Sequence, residues 1–193
     1  MADAQAGNDP PELGLVHQFM VPDHERLNLR LRALLLEMAS RIPDKGSNAA
    51  SGKSHFTNKW LSTRDLHLLP DPEIKTLLAF AEDEANKLQW PTGQITPLRI
   101  HAMWAIVSRK GMEGNPHQHG ARVSGAYYVD AGASEGSGNG AFAIYSADGQ
   151  LLGSMPPKAG LMLLFPSGLW HGVLRYESDR PRIVLSFNLV HRA

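Results

Sequence analysis

The sequence predicts a mainly β domain, a sandwich or barrel, with helices from its N-terminal part packed on one face. Two changes of pattern support this fold class. Before about residue 95, apolar residues recur at three- and four-residue steps, and after residue 96 short apolar or alternating runs are separated by turn residues. Because 193 residues suit one domain, we expect a single domain over 1–193. Its helical part would span about 1–95 and its β core about 96–193.

The helical part contains two amphipathic patterns. The first predicts a helix over residues 23–41, with Asp23 as its N-cap. The second predicts a helix over about 72–88, in which Pro72 suits the first position and Trp90 lies just beyond the end. Residues 42–63 between them are rich in Gly, Ser, Asn and Lys, which indicates a loop. This loop could serve as a lid over a substrate, and disorder explains its composition equally well.

The β part contains seven strand-like runs. They are residues 100–108, 117–129, 141–145, 150–154, 161–165, 172–176 and 183–190. The glycine-rich stretch 131–140 lies between two such runs, so we interpret it as a hairpin connection. The four tryptophans, Trp104 among them, are interpreted as packing residues.

Composition excludes several classes of function. Nineteen basic residues balance nineteen acidic residues, so no overall charge indicates nucleic acid or an anionic membrane as a partner. The absence of cysteine excludes disulfides and thiolate chemistry, which is compatible with the cytoplasm. Residues 1–11 show no export pattern, and no run is long enough to span a bilayer. We expect a cytoplasmic protein with a small-molecule or side-chain substrate, and a homodimer stays open.

Candidate metal ligands concentrate in segment 111–119, Gly-Met-Glu-Gly-Asn-Pro-His-Gln-His. Two histidines two residues apart on a strand point to the same face, with ring nitrogens close enough to share one ion. His117 and His119 are therefore candidates, because without cysteine a metal must rest on His, Asp or Glu. A lone His-x-His pair is more often two surface histidines than a metal site, so the rest of the sequence must decide.

Segment 160–171 supplies the missing context. A buried apolar strand ends there at a Pro-Ser-Gly turn, and His171 begins the next strand. In a β-barrel such a position faces the mouth, where ligands bind. A histidine pair on an early strand and a third histidine on a late turn would place three imidazoles around one cavity. We expect His117, His119 and His171 to meet there.

Both segments resemble the paired motifs of the cupin superfamily, although Ser124 stands where the first motif has a glutamate. A closer resemblance is to a family of 2-oxoglutarate and Fe(II)-dependent oxygenases, four of whose motifs occur here in order. They are His117-Gln-His119, Ser124-Gly-Ala-Tyr-Tyr128, Phe165-Pro-Ser-Gly-Leu-Trp-His171 and Arg182-Ile-Val-Leu-Ser186-Phe-Asn188. This resemblance covers about the C-terminal half. It implies a double-stranded β-helix (jelly roll, cupin-like), dioxygenase activity, and Fe(II) and 2-oxoglutarate as cofactors.

The resemblance also implies an iron site of two histidines and one carboxylate, with three positions open for keto acid and oxygen. His117 and His171 match the two histidines, but His119 occupies the carboxylate position. A neutral imidazole there leaves the site one charge more positive. We predict that His119 is the third ligand. The alternatives are water in its place or a carboxylate from Glu113 or Asp130.

The keto acid requires a cation for its distal carboxylate, and a guanidinium can bind both carboxylate oxygens. Arg182 opens the last strand, on which residues 182, 184, 186 and 188 share one face. We predict that Arg182 is this anchor, helped by Ser186 on the same face and by Tyr128, which resembles the assisting tyrosine of related oxygenases. Arg180 is the competing anchor. Alternatively, the last strand lies at the edge of a sheet, and its polar face is simply exposed to solvent.

Three functions of different class follow from these residues. The leading hypothesis is a 2-oxoglutarate-dependent hydroxylase-type oxygenase. The second is a cupin-type enzyme with three histidines, a dioxygenase that chelates its substrate directly or an isomerase, for which keto acid is irrelevant. The third is a non-catalytic barrel that binds a ligand. The substrate cannot be named from the sequence, because substrate-selecting loops follow no portable code.

Overall fold

The computed structural model describes residues 11–45, 58–91, 93, 97–133 and 136–191. Two α-helices and ten strands occur in these ranges. They are β1 His17–Met20, α1 His24–Arg41, β2 Lys59–Leu61, α2 Pro72–Lys87, β3 Leu98–Ser108, β4 Met112–His117, β5 Val123–Asp130, β6 Phe142–Tyr145, β7 Leu151–Met155, β8 Leu161–Pro166, β9 His171–Tyr176 and β10 Arg182–His191.

The strands form two antiparallel sheets. The larger sheet has the order β1-β8-β5-β10-β3-β2, and the smaller sheet has the order β4-β9-β6-β7. Strands of the larger sheet pack through one face onto the smaller sheet, with Phe142 and Ile144 from β6 against Leu163 and Phe165 from β8. The pattern of the sequence predicts a mainly β sandwich or barrel, and these two facing sheets form the double-stranded β-helix that the family resemblance implies.

Both helices pack on the outer face of the larger sheet. Buried leucines of α1 and the apolar stripe of α2 meet every second residue of β10, namely Ile183, Leu185, Phe187 and Leu189. The opposite residues of β10 point between the sheets, as the two-residue period of a strand requires. The helices therefore close the core on one side and leave the space between the sheets for a site.

The helix boundaries follow their capping residues. Asp71 accepts a hydrogen bond from the backbone N–H of Ile74, and Pro72 occupies the first position of α2. Asp23 precedes α1, but it lies in the left-handed region at φ 50 and its side chain makes no cap hydrogen bond. The position predicted for this cap is correct, whereas the hydrogen bond of a usual N-cap is absent.

The chain crosses between the two sheets at both histidine segments. After β4 it leaves the smaller sheet and enters the larger sheet as β5, and after β8 it returns to the smaller sheet as β9. His117 is the last residue of β4 and pairs directly with His171, the first residue of β9. Both crossovers therefore lie at one end of the sandwich, which explains why residues far apart in sequence meet there.

Three expectations about local structure are wrong. The predicted run 117–129 is divided, because the chain changes sheets after His117, so His119 lies in the crossover and not on a strand. Stretch 131–140 is not a hairpin connection, because β5 and β6 belong to different sheets. The predicted loop 42–63 includes β2, which pairs with β3. Its residues 46–57, on which the lid hypothesis depends, lie outside the described residues.

The sequence also contains no recognisable signal for the four-residue β1 or for the first five residues of β4.

Among the described residues, no helix combines the length and apolar character needed to cross a bilayer.

Candidate metal centre

Three histidines converge at the end of the sandwich where the chain changes sheets. One ligand-type atom from each of His117, His119 and His171 lies within 4.8 Å of the corresponding atoms of the other two. The ring centroids are 4.4 Å apart for His117 and His171, 5.1 Å for His117 and His119, and 5.0 Å for His119 and His171. Within the described ranges, this is the only group of three or more His, Cys, Asp or Glu residues with metal-site spacing.

Backbone carbonyl groups orient two of the rings. The Nδ1 atom of His117 lies 2.8 Å from the carbonyl oxygen of Asn115, and Nδ1 of His171 lies 2.9 Å from that of Leu169. Since a carbonyl can only accept, each Nδ1 carries the proton and donates it. The lone pair then resides on Nε2, which is the tautomer that a metal ligand requires.

A buried polar network orients the third ring. The Nδ1 atom of His119 lies 2.8 Å from Oδ1 of Asn188 and 3.0 Å from Oγ of Ser124. Ser124 donates to the same Asn188 oxygen at 2.9 Å, and its Oγ lies 2.8 Å from Oγ of Ser167. The backbone N–H of His119 donates to the Ser167 carbonyl. His119 is thus held from three strands or turns although it lies outside regular structure.

The surroundings of His171 keep its ring neutral. Phe142 stacks on the imidazole with a centroid distance of 5.5 Å, and Phe165 contacts it edge-on at 4.7 Å. Burial, together with the nearby His117 imidazole, lowers the pKa of His171 to about 3. The imidazole is therefore unprotonated on Nε2 at physiological pH, as metal binding requires.

The three histidines open into a cavity of about 650 Å³ between the sheets. This volume lies in the range of small-molecule sites. Its walls include Trp104 and Ile106 from β3, Ala126 and Tyr128 from β5, and Arg182, Val184, Ser186 and Asn188 from β10. The polar face of the last strand therefore lines a cavity, and it is not the solvated face of an edge strand.

Arg182 is the deepest charged residue of this cavity. Only 2% of its surface is exposed, and its guanidinium carbon lies 5.1 Å from the centre of the Tyr128 ring. Its Nε has no hydrogen-bond partner, and its Nη1 reaches Oγ of Ser108 at the limiting distance of 3.5 Å. Burial raises the pKa of Tyr128, and the Arg182 guanidinium partly offsets this rise. The hydroxyl is therefore protonated and can act as a donor.

The competing candidates lie elsewhere. Asp130 accepts a hydrogen bond from Arg32 at 2.8 Å on the helix-covered side, and Glu113 is half-exposed beside Arg175. Neither carboxylate joins the histidine group. Arg180 is exposed, and its carbonyl accepts a hydrogen bond from Tyr176. The geometry thus favours His119 over these carboxylates and Arg182 over Arg180.

Residues 102–188 match the family model described as "Putative 2OG-Fe(II) oxygenase". This segment runs from β3 to β10 and contains all three histidines, Tyr128 and Arg182. By this match, residues 102–188 are similar to the 2OG-Fe(II) oxygenase family. No curated protein matches this chain.

Solved structures of other oxygenases share the fold at low sequence identity. A prolyl-4-hydroxylase from Pseudomonas putida has 15% identity and a TM-score of 0.66, covering 93% of this chain and 94% of its own. A prolyl hydroxylase from Trichoplax adhaerens, in complex with a hypoxia inducible factor peptide, has 14% identity and a TM-score of 0.66, covering 92% and 84%. HygX from Streptomyces hygroscopicus, with nickel and 2-oxoglutarate bound, has 15% identity and a TM-score of 0.62, covering 93% and 86%.

The family match and the histidine group together indicate an Fe(II)- and 2-oxoglutarate-dependent oxygenase. Sequence reasoning identified the three histidines, Tyr128 and Arg182 but missed the polar network that holds His119. A signal was present, since Asn188 shares the polar face of β10 and Ser124 lies in a mostly apolar strand. The pairing of these two residues across β5 and β10 is visible only in the fold.

Proposed function

We propose that His117, His119 and His171 hold the iron of this oxygenase and that Arg182 binds the distal carboxylate of 2-oxoglutarate. The observation that carries the proposal is the buried Arg182, which faces the same cavity as the histidine group and has no carboxylate within salt-bridge distance in the described part of the chain. A buried cation is costly unless it is paired, so the fold supplies one half of an ion pair.

The donor set fits ferrous iron. Imidazole nitrogen is a ligand type that iron accepts, and the hydrogen bonds at Nδ1 assign Nε2 as the ligand atom in each ring. A set of three neutral donors leaves the full charge of the dication in the site. That charge favours an anionic co-substrate such as a keto acid.

Tyr128 and Ser186 complete the proposed co-substrate site. The protonated Tyr128 hydroxyl lies beside Arg182 in the buried end of the cavity and can donate to the same carboxylate. Ser186 lies on the same face of β10, two positions beyond Val184, between Arg182 and the histidines. A diacid lying along this face would reach from Arg182 to the metal.

Iron held by the three histidines, together with a keto acid held by Arg182, would supply the oxidising chemistry at this site. The chain's own residues position the reactants. Arg182 fixes one end of the keto acid. Hydrogen bonds from Nδ1 of His117 and His171 to backbone carbonyl groups keep Nε2 free to bind the metal. The apolar side chains of Ile106, Phe142 and Val184 exclude water from the cavity. The remaining part of the cavity holds the substrate.

The cupin-type alternative also uses three histidines, but it assigns no ligand to Arg182. Hydroxylation is the outcome we propose, on a small molecule or an exposed side chain. The structural neighbours include a prolyl hydroxylase in complex with a peptide fragment and HygX in complex with hygromycin B, so their fold accommodates both kinds of ligand. Cytoplasmic localisation, a single domain over 1–193 and a homodimer stay predictions.

Calorimetric titration of 2-oxoglutarate into anaerobic Fe(II)-loaded protein tests the anchor. Arg182→Gln should weaken binding by roughly one and a half to three and a half decades, because truncating a shielded charge pair costs about 2–5 kcal/mol. Arg180→Gln is the matched control, since it removes the same charge two residues away at an exposed position. Equal losses in both variants, or none in Arg182→Gln, would contradict the assignment.

A further inference from the structure

The outer wall of the cavity carries positive charge that the co-substrate does not use. Lys45, Ser62, Thr63 and Arg64 line this wall, next to Trp104. In the described ranges the cavity lining contains three cationic side chains, Lys45, Arg64 and Arg182, and no Asp or Glu. Neither Lys45 nor Arg64 forms a salt bridge within the described residues.

Arg64 is held in place by an aromatic ring of the metal site. Its guanidinium carbon lies 4.5 Å from the centre of the Trp104 ring, and Trp104 in turn contacts His119 with a centroid distance of 5.7 Å. Stacking on indole restricts the planar group while its N–H edge stays able to donate to an anion. Arg64 is thus partly preorganised on the approach to the metal.

The two arginines lie at different levels of the cavity. Arg182 pairs with Ser108, whereas Trp104 pairs with Ser186, four residues further along both strands. At about 3.3 Å per residue the two levels are about 13 Å apart. Arg182 therefore serves the buried end of the cavity, and Arg64 serves the mouth.

The proposed metal and co-substrate do not offset the excess of positive over negative charge in the cavity. Three imidazoles leave the iron dication without a protein carboxylate, and one dianionic keto acid offsets only two of the three positive charges of the metal and Arg182. Arg64 and Lys45 then face the substrate region with no counter-charge in the described lining. A cleft lined by one sign of charge attracts ligands of the opposite sign.

We propose that the substrate carries an anionic group, a carboxylate or a phosphate ester, that binds Arg64 on its Trp104 support, with Lys45 in the same cavity wall. This inference rests on the proposed function, because it assigns the space that 2-oxoglutarate leaves. A carboxylate and a phosphate both match the two N–H groups of one guanidinium edge, so the chemistry is shared and the test must separate the two.

Binding of small aromatic probes tests the proposal without turnover. Benzoate, phenyl phosphate and the neutral isostere benzamide are titrated into Ni(II)-loaded protein, with and without saturating 2-oxoglutarate, and binding is followed by tryptophan fluorescence and ligand-observed NMR. At least one anion should bind more tightly than benzamide, and added salt should weaken its binding. The stronger anion identifies the group. Because the arginine is exposed, Arg64→Gln should weaken that anion by about five- to tenfold.

Arg30→Gln is the matched control, because it removes the same charge from an exposed position of α1 on the other face of the larger sheet. Equal binding of anions and benzamide, absence of anion binding, or equal losses in Arg64→Gln and Arg30→Gln would overturn the inference. If 2-oxoglutarate still binds in that case, the proposed function stands. If 2-oxoglutarate does not bind but the anion effect of Arg64 persists, the proposed function fails and the inference about the mouth stands.

Discussion

At the residue scale, His119 determines the charge of the proposed iron site. It occupies the position where the family resemblance implies a carboxylate, and the structure brings its ring within 5.1 Å of both other imidazoles. Asn188 and Ser124 hold its Nδ1 atom, which assigns Nε2 as the ligand atom. The residue is therefore built into the site and is not a chance replacement on the surface.

His119→Ala should lower Fe(II) affinity by more than about 100-fold, because the loss of a ligand exceeds the effect of a supporting residue. His119→Asp should restore much of this affinity by supplying an anionic oxygen ligand. Competition with a chromophoric chelator under anaerobic conditions measures both variants. Normal iron affinity in His119→Ala would show that water completes the site and that three histidines are not required.

Asn188 is a positioning residue in the same network. Asn188→Leu removes the acceptor for Nδ1 of His119 while keeping similar volume, and it should lower metal affinity by about 10–100-fold. Asn188→Asp keeps an acceptor and should retain most of the affinity. Co(II) absorption spectra of the two variants report the ligand field directly, so a purely structural role would leave the spectrum of Asn188→Leu unchanged.

At the element scale, the last strand separates the core from the site by simple alternation. Sequence reasoning predicted its two faces, because a two-residue period over eight positions leaves little ambiguity. Ile183, Leu185 and Phe187 are fully buried against the helix side, while Arg182 and Ser186 line the cavity. The two histidine segments were also predictable, since each combines turn residues and histidines next to a strand-like run.

Other elements could not be predicted from local pattern. Strands β1 and β2 have four and three residues, too few for a period to be recognised. Whether stretch 131–140 joins paired strands depends on which sheet each strand enters, and sheet membership is set by long-range packing. For the same reason the sequence did not predict that Arg64 and Trp104 would stack, because they belong to separate segments.

Gly125 tests the packing of β5 against β10. A Cβ atom at this position would overlap with the ring of Phe187, which is fully buried. Gly125→Ala should lower the free energy of unfolding by about 1–3 kcal/mol, as overpacking does. Gly138→Ala has no atom within 4 Å of its new methyl group and is the matched control. Chemical denaturation measures both, and equal stability of the two variants would contradict the described packing.

At the scale of the whole molecule, the fold places chemistry where the chain passes between its sheets. One crossover presents His117 and His119, and another presents His171. The larger sheet contributes Arg182 from β10 and Tyr128 from β5. These two strands are neighbours, and Tyr128 pairs with Val184, two residues after Arg182. The metal group and the anion anchor thus come from different parts of one rigid core, and each can be altered separately.

The central claim is that one metal ion on three histidines and one buried arginine together bind 2-oxoglutarate. Its most direct test is anaerobic calorimetry of 2-oxoglutarate with wild-type protein, with and without Fe(II), alongside the double variant His117→Ala, His171→Ala. We expect one equivalent of iron per wild-type chain, tight 2-oxoglutarate binding only with that iron, and neither in the double variant. Full iron occupancy in the double variant, or equal 2-oxoglutarate affinity with and without iron, would contradict the account.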